Sequence, residues 1–167
     1  MIRAGLIAAM CTLLAGCFVS ERPMFPAASG VPVFGDGGKY RTFENRGGHY
    51  DPDEMIELRR RSEAAYGFID EKQRVSKVSF HPLPGGLHVG QLGPERGETG
   101  YGYAIFRVSG NEALVYVIDC EKQDAAVLAA HGVERRGREC LLDGVKDPVA
   151  LFTAVRLGEP VSKMVRE

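Results

Sequence analysis

The chain has 167 residues, with 21 basic and 22 acidic side chains and a formal net charge of −1 at pH 7. This balance excludes a strongly basic surface for nucleic acid, and no acidic block of the kind found in disordered tails is present. Its 21 glycines indicate many turns. Length and composition therefore predict one globular, turn-rich domain.

The first 17 residues have the organisation of a secretory signal peptide. Arg3 supplies a positive charge, Leu6–Leu14 is uncharged and mostly apolar, and Leu14-Ala15-Gly16 brings small residues up to Cys17. An apolar run of about 12 residues is too short for a transmembrane helix. The segment resembles the lipobox of bacterial lipoproteins. The resemblance implies diacylation of the Cys17 thiol, cleavage after Gly16 and acylation of the new amino group.

The same resemblance implies a location. Phe18, rather than aspartate, follows Cys17, which predicts sorting to the outer membrane facing the periplasm, with the inner membrane as the alternative. The lipid anchor makes the membrane a predicted partner, because two or three acyl chains bind a bilayer stably. Cleavage removes one of the 21 basic residues, Arg3, and none of the 22 acidic ones, so the mature charge becomes −2.

Residues 17–38 are predicted to form the acylated N-terminus and a flexible tether. Prolines at positions 23, 26 and 32 and several small residues resist regular structure. A flexible chain of about 20 residues would hold a domain roughly 25 Å from its anchor. Val31, Val33 and Phe34 leave open the alternative that part of the tether docks on the domain.

The predicted globular domain, residues 39–158, consists mainly of short strands separated by turns. The turns include Pro84-Gly85-Gly86 and Ser109–Glu112, where glycine or asparagine tolerates a positive φ. A spacing of about 8 to 12 residues is typical of an antiparallel meander, either a sandwich or a partly closed barrel of about six to eight strands. The predicted strands are Tyr40–Glu44, Tyr66–Asp70, Val75–His81, Leu87–Leu92, Tyr101–Val108 and Ala113–Asp119.

Residues 52–66 fit two structures. Asp51-Pro52 is typical of a helix start, since aspartate caps and proline suits the first helical position. Met55–Leu58 also has a short strand pattern. The neighbouring strands favour a strand here.

The last third is predicted to be mixed. Gln123–His131 is alanine-rich and ends before Gly132, and Asp147–Arg156 begins with Asp-Pro, so two short helices are expected. Glu139–Leu142 is a candidate strand between them, and residues 159–167 are expected to form a loose tail. The fold class is therefore α+β and β-rich.

Two of the four cysteines remain after the leader and the lipid are set aside. Cys11 lies in the signal peptide and Cys17 is the lipidation candidate, so Cys120 and Cys140 are left. An oxidising periplasm predicts that they pair. Closing a loop of this length contributes about 3 kcal/mol on the chain-entropy model.

Several segments together carry a second resemblance. They are Pro82–Gly86 with Gln91, Leu114–Cys120, Gly132-Val133, Cys140 and Leu151-Phe152. Over most of residues 38–157 the chain resembles a group of small lipoproteins of Gram-negative bacteria that have no assigned activity. The resemblance implies the order of elements and a disulfide.

The sequence contains several clusters of charged and metal-binding side chains. His81 and His88 flank the Pro84-Gly85 turn and would face each other across a two-residue loop, which makes them weak candidates for a metal site without a third ligand. Arg59–Arg61 and Arg135–Arg138 are typical of solvated faces. An oxygen-rich cluster lacks the alternating ligands of a calcium loop; its members are His49, Asp51, Asp53 and Glu54. No metal and no cofactor are therefore predicted.

No catalytic pattern appears in the sequence. Gly-x-Ser-x-Gly, His-Glu-x-x-His and a catalytic Cys/His arrangement are absent from the 167 residues. We therefore expect no catalytic residues and a non-enzymatic accessory or interaction protein of the cell envelope, with a protein partner there. The first alternative is a barrel that binds a small amphipathic ligand in a cavity lined by Tyr101, Tyr103, Phe106 and Tyr116. A hydrolase or metal-dependent enzyme is the second alternative.

Overall fold

A computed structural model describes residues 17–94 and 99–167. The predicted signal peptide, residues 1–16, lies outside the described residues. The described strands are β1 (Phe18–Ser20), β2 (Gly37–Arg46), β3 (His49–Ser62), β4 (Ala65–Ile69), β5 (Val75–Leu83), β6 (Leu87–Leu92), β7 (Tyr101–Ser109), β8 (Glu112–Val117), β9 (Glu134–Arg136), β10 (Glu139–Leu141) and β11 (Ser162–Arg166). The described α-helices are α1 (Ala125–Ala130) and α2 (Pro148–Ala154).

Eight of the strands form a closed antiparallel barrel. Strands β2 to β8 are a meander in which each strand pairs with the next, and β11 pairs with both β8 and β2. The predicted β-rich fold is therefore correct in outline, and the barrel is closed rather than partly closed. The remaining strands extend one side of β7 in the order β1-β10-β9.

The ambiguous segment at residues 52–66 forms strand rather than helix. Residues 52–62 belong to β3, which pairs with β2 from His49 to Arg59 and with β4 from Glu57 onward, and residues 65–66 begin β4 after a turn. Ile56 and Leu58 alternate with more exposed neighbours and enter the interior. Pairing on both sides satisfies the backbone and outweighs the local helix-start signal at Asp51-Pro52.

The prediction of a loose C-terminal tail is wrong. Residues 162–166 are β11, and Ser162 and Met164 are 2% and 1% exposed. The segment has only one strongly apolar inward residue and no turn signal. Its partners on β2 lie far away in the sequence, so local pattern carried no sign of the pairing.

Side chains fill the barrel interior, as expected of an eight-stranded barrel. Phe34 enters one end from the loop before β2, and its ring lies 5.1 Å from that of Phe80 and 5.5 Å from that of Tyr40. A Cβ at Gly90 would lie 2.4 Å from the Phe106 ring, so glycine makes room for that ring. The buried set is Phe34, Tyr40, Ile56, Leu58, Tyr66, Phe68, Val78, Phe80, Ala104, Phe106, Ala113, Val115 and Met164.

A second core lies outside the barrel, against β5, β6 and β7. The helices begin at aspartate caps: Asp124 accepts from two backbone N–H groups of α1, and Asp147 accepts from that of Ala150 in α2. The predicted cysteine pair is present, since Cys120 and Cys140 form a disulfide with Cα atoms 5.6 Å apart. The members of this core include Phe18, Phe25, Leu83, Val89, Tyr103, Ile105, Ile118, Leu128, Leu151 and Phe152.

The position of β11 in the barrel leads to a test of stability. We expect Met164→Ala to lower the free energy of unfolding by about 2–5 kcal/mol, because it removes a buried side chain from the interior. Urea unfolding followed by circular dichroism measures this change. Val161→Ala is the control, since Val161 is 40% exposed and a surface change costs about 0.5 kcal/mol or less. Equal, small effects of both substitutions would indicate that residues 159–167 form a loose tail and that β11 is not part of the barrel.

Candidate functional site

Residues 18–36, named the strap here, lie along the barrel, which agrees with the alternative that Val31, Val33 and Phe34 dock rather than with a free tether. β1 pairs with the start of β7 and with β10, and the N–H of Val31 donates to the carbonyl of Phe80 at 2.8 Å. Phe18, Phe25 and Phe34 are all buried. The free energy gained by burying three aromatic rings exceeds the cost in conformational entropy of ordering the proline-rich segment.

The strap covers a row of polar side chains on the outward face of the barrel. Ser79, Gln91 and Tyr103 pair across β5, β6 and β7, and each is buried. Buried polar groups cost free energy unless they form hydrogen bonds. The row therefore requires partners, and the strap provides most of them.

Gln91 and Tyr103 bind the strap through its backbone. The N–H of Phe25 donates to Gln91 Oε1 at 2.9 Å, and Gln91 Nε2 donates to the carbonyl of Phe25 at 3.2 Å. The Tyr103 hydroxyl accepts from the N–H of Met24 at 3.2 Å and lies 2.6 Å from Ser20 Oγ. The amide of Gln91 thus reproduces the paired bonds of a neighbouring strand.

His81 completes the site beside the row. Its ring stacks on that of Phe25 with centroids 4.6 Å apart, and its Nδ1 and Nε2 lie 2.9 Å from Ser29 Oγ and from Ser79 Oγ. Ser29 Oγ also donates to the carbonyl of Pro26 at 2.9 Å. Because that hydroxyl has one proton, it accepts from Nδ1–H, and Nε2 accepts from the Ser79 hydroxyl.

Burial sets the protonation of these groups. It lowers the pKa of His81 below its usual range, and the hydrogen bond to Ser29 opposes this only in part. Burial also raises the pKa of Tyr103 to about 12, against the hydrogen bonds to Ser20 and Met24. At neutral pH both side chains are uncharged, so the strap covers a neutral polar surface.

The predicted histidine pair does not form. His81 pairs with Val89 in the β5–β6 ladder and faces the second core, whereas His88 pairs with Phe106 and faces the interior. Successive residues of a strand point to opposite faces, and the three-residue turn at Pro84–Gly86 shifts the register assumed from the sequence. Among residues 17–94 and 99–167, no three metal-binding side chains are grouped to hold an ion.

The oxygen-rich cluster at the β2–β3 hairpin does not converge. Glu54 is buried, whereas His49 is exposed and lies 3.2 Å from Asp51. Burial, Glu44 and Glu71 raise the pKa of Asp53. Asp53 and Glu54 lie at an irregularity in the β2–β3 ladder, where Asp53 is exposed and Glu54 is buried.

The arginine runs are engaged in local contacts. Arg59 and Arg60 form ion pairs with Glu57 and Asp36 at 2.8 and 3.2 Å. In the second run, Arg135 donates to the backbone carbonyls of Cys120 and Gln123. Exposed pairs of this kind contribute little stability and are consistent with solvated surfaces.

The residues expected to line one ligand cavity are divided between the two cores. Phe106 belongs to the interior, while Tyr101, Tyr103 and Tyr116 pack with the second core. The alternation of strands β7 and β8 makes this division necessary.

Cys17 immediately precedes the strap and lies next to the disulfide residue Cys140. It is 2% exposed, and its carbonyl accepts the N–H of Cys140 at 3.0 Å. Sequence reasoning placed the anchor residue at the end of a tether and missed the strap site. The signal available was the recurrence of phenylalanine at positions 18, 25 and 34 within a proline-rich segment.

No protein-family model, curated protein or solved structure matches this chain. Within the part of the chain that the structure describes, no helix has the length and apolar composition needed to cross a membrane. Function must therefore be argued from the geometry of the chain itself.

The hydroxyl of Tyr103 offers a test of the strap site. We expect Tyr103→Phe to lower the free energy of unfolding by about 1–3 kcal/mol, because Ser20 and the N–H of Met24 lose a buried partner. Limited proteolysis should then cut residues 20–29 faster. Tyr101→Phe is the matched control, since it removes the same group from a half-buried neighbour. Equal effects of both variants would show that the Tyr103 hydroxyl does not hold the strap.

Proposed function

We propose that the chain is a lipid-anchored protein of the cell envelope whose barrel acts as a non-catalytic interaction module. The observation that supports this most directly is the asymmetry of the outer surface of the barrel. One wall is buried beneath the strap and the helices, and the opposite wall keeps its outward side chains accessible.

The accessible wall, named the open wall here, is formed by β2, β11 and β8. Its outward residues Phe43, Leu114 and Val165 are half-buried, and Lys163 pairs with both Phe43 and Leu114. The Lys163 ammonium lies 5.2 Å from the centroid of the Phe43 ring and 4.8 Å from that of Tyr50. Apolar groups interleaved with a cation on a rigid sheet are suited to a protein partner.

The anchor supports the same function. The lipobox at Leu14–Cys17 predicts attachment to a membrane through Cys17. The strap follows Cys17 directly and is packed on the barrel. The open wall then has a defined position relative to Cys17, which is what an interaction surface held at a membrane requires. Outer-membrane sorting and orientation toward the periplasm belong to this proposal.

The alternatives have less support. A ligand-binding barrel needs room in its interior, and thirteen buried side chains occupy the interior described here. A hydrolase or metal-dependent enzyme needs positioned groups in a cleft, and His81 and His88 lie on opposite faces of the β5–β6 hairpin.

Lipidation is tested at the N-terminus of the protein purified from membranes. We expect mass spectrometry to find an N-terminal peptide that begins at Cys17 and carries two or three acyl chains. Cys17→Ser should prevent acylation and leave the protein outside the membrane fraction. An unmodified chain that begins elsewhere would contradict the proposal.

The open wall is tested by crosslinking in cells. We expect a photoreactive amino acid at Leu114 to give one discrete adduct, identified by mass spectrometry, that is lost when Lys163→Glu reverses the charge beside it. The same probe at Val149, which is 42% exposed on α2, is the control for random collision. Identical adducts at both positions, or none at Leu114, would contradict an interaction role for this wall.

A further inference from the structure

The strap packs against a buried histidine of the barrel wall. His81 is 1% exposed, and its ring is enclosed by Phe25 and Ser29 of the strap on one side and by the barrel wall on the other. We propose that the strap is a releasable clasp, and that protonation of His81 detaches residues 18–31 from the barrel.

The hydrogen bonds explain why a proton would open the site. Ser79 donates to Nε2 when the ring is neutral, at an Oγ–Nε2 distance of 2.9 Å. Protonation at Nε2 turns that acceptor into a donor, so the Ser79 oxygen must accept from Nε2–H and its own proton must find another acceptor. The charge would also be buried among neutral side chains, which is unfavourable without a counter-ion.

No charged side chain compensates this cost among the described groups that face His81. The strap presents Phe25 and Ser29, and β5 presents Ser79. β6 presents Val89, which pairs with His81, and β7 presents Tyr103 in the adjacent row. Helix α2 contributes Phe152, whose ring lies 5.9 Å from that of Phe25. Tyr103 alone titrates in this set, and it stays neutral because burial raises its pKa to about 12.

The direction of the pH dependence follows from burial. The pKa of His81 is lower when the strap is docked than the ordinary value near 6.5 of a released, solvated imidazole. Docking is therefore fully favourable above about pH 6.5 and weakens as the pH falls toward the docked pKa. One linked proton changes the docking equilibrium by at most about tenfold for each pH unit.

Release would change how far the barrel reaches from the membrane, and this consequence rests on the proposed lipid anchor. With the strap docked, Cys17 is held against β10 beside the barrel. With residues 18–31 free, a chain of this length spans roughly 20 Å. The clasp would thus switch the barrel between a position close to the membrane and a position farther from it.

The clasp itself is tested in solution by amide hydrogen exchange of the purified protein between pH 7.5 and 5.5. The reporters are the N–H groups of Phe25 and Val31, which donate to Gln91 and Phe80, and amides of β11 serve as the reference. We expect protection of the reporters, corrected for intrinsic exchange, to fall by up to about tenfold per pH unit below 6.5 while β11 is unchanged. Constant protection, or an equal loss in β11, would overturn the proposal.

Two variants assign the effect to His81. His81→Gln cannot take up a proton, so it should abolish the pH dependence, whereas the matched variant His88→Gln on the inner face should retain it. If His81→Gln does not fold, Ser79→Ala serves instead, because removing the donor to Nε2 should move the release to higher pH. Unaltered pH dependence in His81→Gln, or an unshifted release in Ser79→Ala, would refute the clasp. Acylation of Cys17 is measured separately, so failure of the anchor and failure of the clasp remain distinguishable.

Discussion

Closure of the barrel by β11 is the constraint on which the rest of the structure depends. A seven-stranded meander has two exposed edges, on β2 and on β8, and an open edge leaves backbone groups unpaired. β11 satisfies both edges at once, since Met164 pairs with Thr42 on one side and with Ala113 on the other. Only then does the inward face become an interior that aromatic side chains can fill.

Closure also divides the outer surface into two parts with different chemistry. Every strand has an outward face, and a barrel has no second sheet to cover it. The outward residues of β5, β6 and β7 are covered by the strap, α1 and α2, and the disulfide between Cys120 and Cys140 joins β10 to the segment before α1. The opposite wall retains Phe43, Leu114 and Val165 as half-buried residues, which is why we place the interaction surface there.

The polar row beneath the strap connects the segment that follows the proposed lipid anchor to the folded barrel. Ser79, Gln91 and Tyr103 would be costly in a purely apolar interface, because each carries groups that need hydrogen bonds. Gln91 and Tyr103 bind backbone groups of Phe25 and Met24, and Tyr103 also contacts the Ser20 side chain, whereas Ser79 pairs with His81 on its own strand. A membrane attachment at Cys17 would therefore be transmitted to the barrel through these few contacts.

Local signals made much of the fold predictable. Alternating apolar residues and glycine turns located β4 to β8, and the cysteine count predicted the disulfide. The loose tail is wrong, and docking of the tether is predicted only as an alternative through Val31, Val33 and Phe34, because proline content near Pro26 and the short pattern around Met164 describe a chain in isolation. Their structure comes from partners far away in the sequence, and local composition carries no information on such partners.

The candidate site could not be predicted from the sequence for a related reason. In the sequence, Gln91 is only part of a motif with the turn at Pro82–Gly86, and the short separation of His81 and His88 suggests a pair. Which face of the strand each residue occupies depends on the register of the β5–β6 turn, and one residue of shift reverses it.

The amino-acid sequence by itself determined the β-rich class, the turn positions and the cysteine pair, because these depend on local propensity and counting. Only the tertiary structure decided that the barrel closes, that the strap docks and that His81 is separated from His88, because each depends on pairing between distant segments.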